Sequence, residues 1–295
     1  MAVVQAELPV KTAVASERRS GAWAYVRRHP TIVLGGALLL AMAALAIFAP
    51  YLGTVDPQAL SPIHRLKWPS ATHWFGTDML GRDVYSRTIY GTRVSLTVGL
   101  SVAVLATALG LLFGLITGFN RWADAIGMRI MDGLMSIPSV LIAIALMALT
   151  RASLRNVVFA ITVAEVPRVS RLVRGVVLTL REQPFVEAAL ASGTSYFRIL
   201  SRHILPNTLA PLLVQGTFIA ASAMITEAIL SFLGAGTPPN IPSWGNIMAE
   251  GRSLFQVSYY IVLFPGLMLS LAVLAINLVG DGLRDALDPR LARRM

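Results

Sequence analysis

The chain contains no cysteine, so disulfides and thiolate chemistry are excluded, and nothing about redox compartment is written in the sequence. Lysine is nearly absent too: Lys11 follows Val10 and Lys67 follows Leu66. Neither closes the glycine-rich turn that a phosphate-binding loop requires. Nucleotide hydrolysis is therefore not expected within this chain. The four histidines, His29, His64, His73 and His203, stand in separate segments with no HExxH pair, which speaks against a zinc centre. A Gly-x-Ser-x-Gly elbow is missing as well, and with it the commonest hydrolase nucleophile. Charge is scarce: 14% of the 295 residues are charged, where a soluble domain carries about a quarter.

What the chain has instead is apolar sequence. Hydrophobic residues make up 55% of it, and the mean hydropathy is +0.67. Five charge-free runs, Thr31–Val55, Val94–Asn120, Gly133–Thr150, Ile204–Thr226 and Ser253–Gly280, reach or approach the ~20 residues that cross a bilayer as helix. A helix uncharged on every face for that length is a membrane helix rather than a soluble core helix. The Ala44-Leu45-Ala46 match to a signal-peptidase site follows an apolar run longer than a signal h-region, so an uncleaved anchor is expected. The net charge of +10 comes from arginines bordering apolar spans, the membrane pattern. No basic–aromatic module points to nucleic acid.

These features predict an all-α polytopic membrane protein with about six transmembrane helices. A cytoplasmic tail is expected over 1–30 and a first span over 31–50. A Pro-, Gly- and aromatic-rich external segment follows over 51–93, then a core of spans over 94–280 and a cytoplasmic tail over 281–295. Spans two and three are placed at 94–119 and 128–149. Span four, 156–177, is interrupted by Glu165 and Pro167. It is accepted because Arg168, Arg171 and Arg174 share one helical face, as on a helix emerging into headgroups. Span five starts at Ile204 and span six covers 259–279. With six spans and an internal N-terminus, the inside segments hold 17 of the 25 Lys/Arg and the outside segments 8. The positive excess belongs on the cytoplasmic side, so both termini are expected there.

The inside segment 181–206 contains "VEAALASGTSYFRILSRHILPN". Gln183-Pro184 stops the preceding helix, and Glu187-Ala188-Ala189-Leu190-Ala191 favours a new one. Gly193 supplies the positive φ that ends it. A second helix, 196–203, is expected to follow, with Pro206 in the first turn of span five, where proline is tolerated. The residues alone fit a surface anchor as well as a docking element. Glu227, with Ser231, lies among apolar residues, where carboxylates face a bundle interior or a water-filled path. It is expected either to line a translocation path or to be a structural carboxylate. The Gly/Pro-rich "LGAGTPPNIPSWGN", with Pro238, Pro239 and Trp244, breaks helix near the external mouth. It reads as a gate there, or as plain surface loop.

Glu187-Ala188-Ala189, the Gly at 193 and Leu205-Pro206 twelve residues on resemble the EAA loop of the membrane subunits of bacterial ABC importers. His203 stands where the general pattern has an apolar residue, in a variant similar to that of the peptide-permease branch. "FGTDMLGRDVYSR", "LSFLGAGTPPNIPSWGN" and "NLVGDGLRDALDPRL" resemble signatures of the C-type permease subunit of dipeptide/oligopeptide importers. The resemblance covers the chain from Trp74 to its end. It implies a type I importer-like permease of the bacterial inner membrane, whose coupling helix, carried by Glu187, Ala188, Ala189, Gly193, Leu205 and Pro206, docks on an ATPase. It also implies a homologous B-type permease as heterodimer partner, two cytoplasmic ATPase subunits that bind ATP and Mg, and an external substrate-binding protein. No cofactor or metal is expected in this chain. Related subunits serve nickel, opine or glycan importers, so these remain alternative cargoes. A free-standing secondary carrier would carry an internal repeat, and an intramembrane hydrolase a catalytic dyad; the sequence displays neither.

Overall fold

The computed structural model describes residues 30–287. Residues 1–29 and 288–295 of the two expected tails lie outside the described residues. Helix α1, Pro30–Phe48, is followed by a short 3-10 turn and a long segment to Asp83 that is irregular apart from a second 3-10 turn, Pro62–His64. Then come α2, Val84–Phe119; α3, Arg121–Met135; α4, Ser139–Ala148; and α5, Leu154–Arg181. The short helices α6, Pro184–Ala191, and α7, Tyr196–Ile199, precede α8, Leu205–Phe232. Helix α9, Trp244–Gly251, and α10, Tyr260–Leu287, complete the fold. There is no strand among the described residues, only one isolated bridge between Thr77 and Asp83.

Four stretches are long and apolar enough to cross a bilayer: Pro30–Tyr51, Val84–Phe119, Tyr196–Phe232 and Tyr260–Leu287. The pair α3 and α4 makes a fifth, bent by 89°. The bend corrects the continuous third span expected over 128–149, and its cause is Ser136-Ile137-Pro138. Proline has no N–H for the helical ladder and pushes the residue before it out of the α region. Helix α5 is 28 residues long, about 42 Å at 1.5 Å per residue. Its six charged residues keep it from reading as apolar, although it packs along α2 at the centre of the bundle.

Helices α2 and α5 form the centre. Gly110, Gly114 and Gly118 of α2 lie against Val169, Val173 and Val177 of α5, and all three valines are fully buried. A Cβ at Gly114 would sit 2.6 Å from Val173 Cβ and 2.8 Å from the Ser170 carbonyl oxygen. Small residues every fourth position let two membrane helices approach backbone to backbone, and close van der Waals packing drives association where lipid is as apolar as the protein. Val98, Val102 and Ala106 of α2, Ile161 of α5 and Ile219, Ala223 and Met224 of α8 extend this core.

Helix α2 begins at Val84, ten residues before the expected span, capped by the Asp83 carboxylate, which accepts from the Ser86 N–H at 2.8 Å. The two arginines of this stretch, Arg87 and Arg93, both have partners. Arg87 is buried in ion pairs described below. Arg93 donates to the Ala46 and Ile47 carbonyls at the end of α1, where cations stabilise a helix C-terminus. At the other end of the chain, α10 runs on to Leu287, past the expected membrane boundary at Gly280.

Candidate functional site

Helix α6 starts as the sequence dictates. Gln183 is extended (φ −83°, ψ 140°) and Pro184 occupies the first turn. Val186 is 1% exposed and pegs the helix to the bundle. Glu187 lies in the first turn, where the helix dipole favours negative charge. Glu187 and Ala188 are exposed, and Ala189 is half-buried. The helix ends in paired bonds, Thr194 N–H to the Ala189 carbonyl at 3.0 Å and Gly193 N–H to the Leu190 carbonyl at 3.0 Å, with Gly193 at φ +74°. This is a Schellman close, which needs a left-handed residue at the turn. Nothing lies within 4 Å of a Cβ built on Gly193. Conformation, not space, selects glycine there.

The expected second helix over 196–203 is not a separate element. Helix α7 passes through a π-turn, Leu200–Ile204, straight into α8. Pro206 lacks the N–H that would close the next helical bond, and a π-bulge is a common adjustment around such a gap. Asn207 Nδ2 donates to the His203 carbonyl at 2.6 Å, satisfying one of the loosened acceptors. Leu205 and Pro206 thus shape the junction rather than start a span. The turn leaves Phe185, Leu190, Tyr196 and Phe197 exposed, the last at 79%. A clustered apolar surface of this kind marks a contact site. The loop is also wired into the bundle. Tyr196 packs edge-on against Phe119 at 6.1 Å, and Arg181 stacks over Phe119 while donating to the Gly118 carbonyl at 2.8 Å.

At the opposite end of the bundle, residues far apart in sequence form a buried ionic knot. Asp78 and Arg87 side chains are each 1% exposed. Arg87 donates from Nη1 to Asp78 Oδ2 at 2.5 Å and to Glu250 Oε2 at 2.6 Å, and from Nη2 to Glu250 Oε1 at 3.0 Å. Arg82 donates from Nε to Asp78 and from Nη2 to Glu250. Asp78 Oδ1 accepts from the Leu80 and Arg82 N–H groups. The "GTDMLGRDVYSR" stretch is thereby clamped to α9. Below it, Phe75 stacks on Phe264 at 3.8 Å and the Tyr260 hydroxyl donates to the Lys67 and Thr77 carbonyls. None of Asp78, Arg82, Arg87 or Glu250 was singled out from the sequence. His64 and His73 approach to 5.6 Å, yet among the described residues no three metal-ligating side chains cluster.

The expected path and gate residues belong to this same end. Glu227 is fully buried and Ser231 is 2% exposed, so neither lines an open surface of this chain. Glu227 Oε1 accepts from Ser231 Oγ at 2.8 Å and from Thr237 Oγ1 at 3.5 Å. Asn246 Nδ2 donates to the Thr237, Pro238 and Ile241 carbonyls. These bonds hold the loop between α8 and α9, which suits the structural alternative for Glu227. Trp244 is held in place as well. It is fully buried, with Nε1 donating to the Thr88 carbonyl at 3.1 Å. Pro239 is exposed at the loop tip and Pro238 half-buried.

Three arginines of α5 have carboxylate partners. Arg168 Nη1 donates to Glu165 Oε2 at 2.9 Å, Arg171 pairs with Asp132, and Arg174 grips both oxygens of Asp124. Arg171 and Arg174 tie α5 to α3, whereas the Arg168–Glu165 pair lies within α5.

Residues 106–293 match the family described as binding-protein-dependent transport system inner membrane component. Residues 19–69 match the N-terminal TM domain of oligopeptide transport permease C. A probable peptide ABC transporter permease of Sinorhizobium fredii is 53% identical over 268 residues, 91% of this chain and 92% of that one. The dipeptide transport system permease of Alkalihalophilus pseudofirmus is 42% identical, over 92% and 89% of the two chains. The glutathione transport system permease of Pectobacterium atrosepticum is 40% identical, over 91% and 90%. In three dimensions the chain is similar to one from the inward-facing MetNI methionine ABC transporter, with TM-score 0.56 at 20% identity, over 68% of this chain and 96% of that one. A bundle of spanning helices with a protruding Glu-Ala-Ala helix, aligned with permeases along nine-tenths of its length, places this chain in the family of binding-protein-dependent transport system inner membrane components, the integral membrane permeases of ABC importers.

Proposed function

We propose that this chain forms half of a transmembrane path for short peptides, beside a homologous permease subunit. Two cytoplasmic ATPase subunits, holding ATP and Mg, drive it, and an external binding protein delivers the cargo. The observation that carries this reading is α6: an eight-residue helix pegged by Val186, closed rigidly at Gly193 and flanked by exposed Phe185, Leu190, Tyr196 and Phe197. Its small exposed Ala188 allows a partner groove to close over it. The Tyr196–Phe119–Arg181 contacts give any motion of α6 a route into α2 and α5. ATP-driven closure of the ATPases would move α6 and bias the bundle between two global arrangements. Peptide cargo is supported by relatives named for peptide, dipeptide and glutathione transport. The arginine distribution supports placing α6 and both termini in the cytoplasm.

The test uses the assembled complex reconstituted in vesicles. Ala188→Trp fills the docking face and is expected to abolish receptor-stimulated ATP hydrolysis while leaving membrane insertion intact. Normal stimulation in that variant would reduce α6 to a surface anchor.

A further inference from the structure

Arg168 and Arg171 occupy an unusual position. Arg168 precedes Val169, which packs on Gly110 of α2, ten residues or about 15 Å from the Asn120 end of the charge-free run Val94–Asn120, a depth within a ~30 Å hydrocarbon core. Its side chain is nevertheless 50% exposed, as is that of Arg171. Gly175 and Thr179 continue the same exposed strip toward the α6 end, and a Cβ at Gly175 would meet nothing within 4 Å. The opposite strip, Val169, Val173 and Val177, is sealed against α2.

A guanidinium at mid-membrane facing lipid costs at least ~2.5–3.5 kcal/mol, so two on one strip must abut water or protein. The core of a protein interface is depleted of charge, and this strip is two cations, a glycine and a threonine. An aqueous path fits that composition better. Each guanidinium has five N–H donors. Among the described residues, Arg168 uses one nitrogen on Glu165 and Arg171 one on Asp132. Glu165 is 1% exposed and receives Ser222 Oγ at 3.5 Å on its other oxygen, so it holds Arg168 from behind. Arg174, by contrast, places two nitrogens on Asp124.

We propose that the Arg168–Arg171 strip of α5 lines the translocation path and receives the cargo's carboxylate, for a peptide its free C-terminal one, through charge-assisted hydrogen bonds. Glu165 and Asp132 offset both positive charges, which keeps the site weak enough to release its cargo, as conduction requires. The proposal rests on the peptide-import reading above and revises the expected path residues Glu227 and Ser231.

The absence of cysteine makes a direct test available in the reconstituted complex. Gly175→Cys is treated with membrane-impermeant anionic and cationic thiosulfonate reagents, with and without ATP and vanadate. The thiol is expected to react in at least one state, and the anionic reagent to be favoured. Adding Arg168→Gln and Arg171→Gln should lower the anionic-to-cationic rate ratio at least fivefold. In uptake, Arg168→Gln should reduce import of a free-carboxylate dipeptide about tenfold with receptor-stimulated ATP hydrolysis within twofold of wild type, and Arg168→Lys should lose less than threefold. No reaction in any state would mean the strip is packed against the partner permease or lipid, and would overturn the proposal. An unchanged rate ratio, or uptake and hydrolysis lost together, would also overturn it, the latter by making Arg168 structural. A wild-type complex that imports no peptide would sink the peptide reading instead, while the labelling still decides where the path runs.

Discussion

The turn at Gly193 permits a prediction in which conformation and bulk give opposite orders. Its φ is +74° and its Cβ direction is open, so any side chain fits in the isolated chain. What it must bear is left-handed backbone, which costs an ordinary L-residue ~1–2 kcal/mol; strained positions in general cost ~1–3 kcal/mol, the β-branched case lying at the upper end. Asn visits this region readily. At 1.4 kcal/mol per tenfold, Ala should depopulate the closed turn roughly tenfold and Val further, while Asn leaves it nearly intact. The expected order of receptor-stimulated ATP hydrolysis in the reconstituted complex is Gly193, then Gly193→Asn, Gly193→Ala and Gly193→Val. If the constraint were bulk against a docked ATPase, Ala would outperform Asn. That inversion, with all variants inserted at equal levels, would refute the assignment of Gly193 as a conformational cap.

Three further perturbations address the bundle. Arg87→Met removes the centre of the buried knot and should destabilise the folded chain by about 3 kcal/mol, because it leaves two carboxylates sharing the single Arg82 cation; thermal unfolding in detergent should show a clear drop, and an unchanged midpoint would contradict the burial. Gly114→Leu forces side-chain atoms into the Val173 and Ser170 backbone contact and should cost at least ~1–3 kcal/mol of overpacking, read as loss of monodisperse protein on size-exclusion chromatography. Glu227→Gln retains an acceptor for Ser231 and should leave assembly and transport near wild type, whereas Glu227→Ala removes the acceptor of the 2.8 Å bond from Ser231 Oγ and should cost ~1–3 kcal/mol; a folded Glu227→Gln complex that no longer transports would return that residue to the path.

The spans were legible because a charge-free run is a composition signal that any bilayer reads in the same way. The α6 turn was legible because helix stop, helix start and glycine close are settled within the eleven residues from Gln183 to Gly193. Two local signals were present but went unread: Ser-Ile-Pro at 136–138, which bends the third span, and the four-residue glycine spacing over 110–118, which seats α5. The rest had no local signature. Arg87 reads as a boundary charge until Glu250, 163 positions away, is folded beside it. Arg171 reads as a headgroup contact until Asp132 arrives from α3. Glu227 reads as path or scaffold until Ser231 and Thr237 are folded onto its carboxylate. The sequence by itself determined where the chain must be apolar helix and where it must turn, because backbone hydrogen bonding and desolvation act on neighbouring residues. Only the tertiary structure decided which charge meets which, because a buried ion's partner is fixed by how helices pack, and packing depends on shapes that composition does not record.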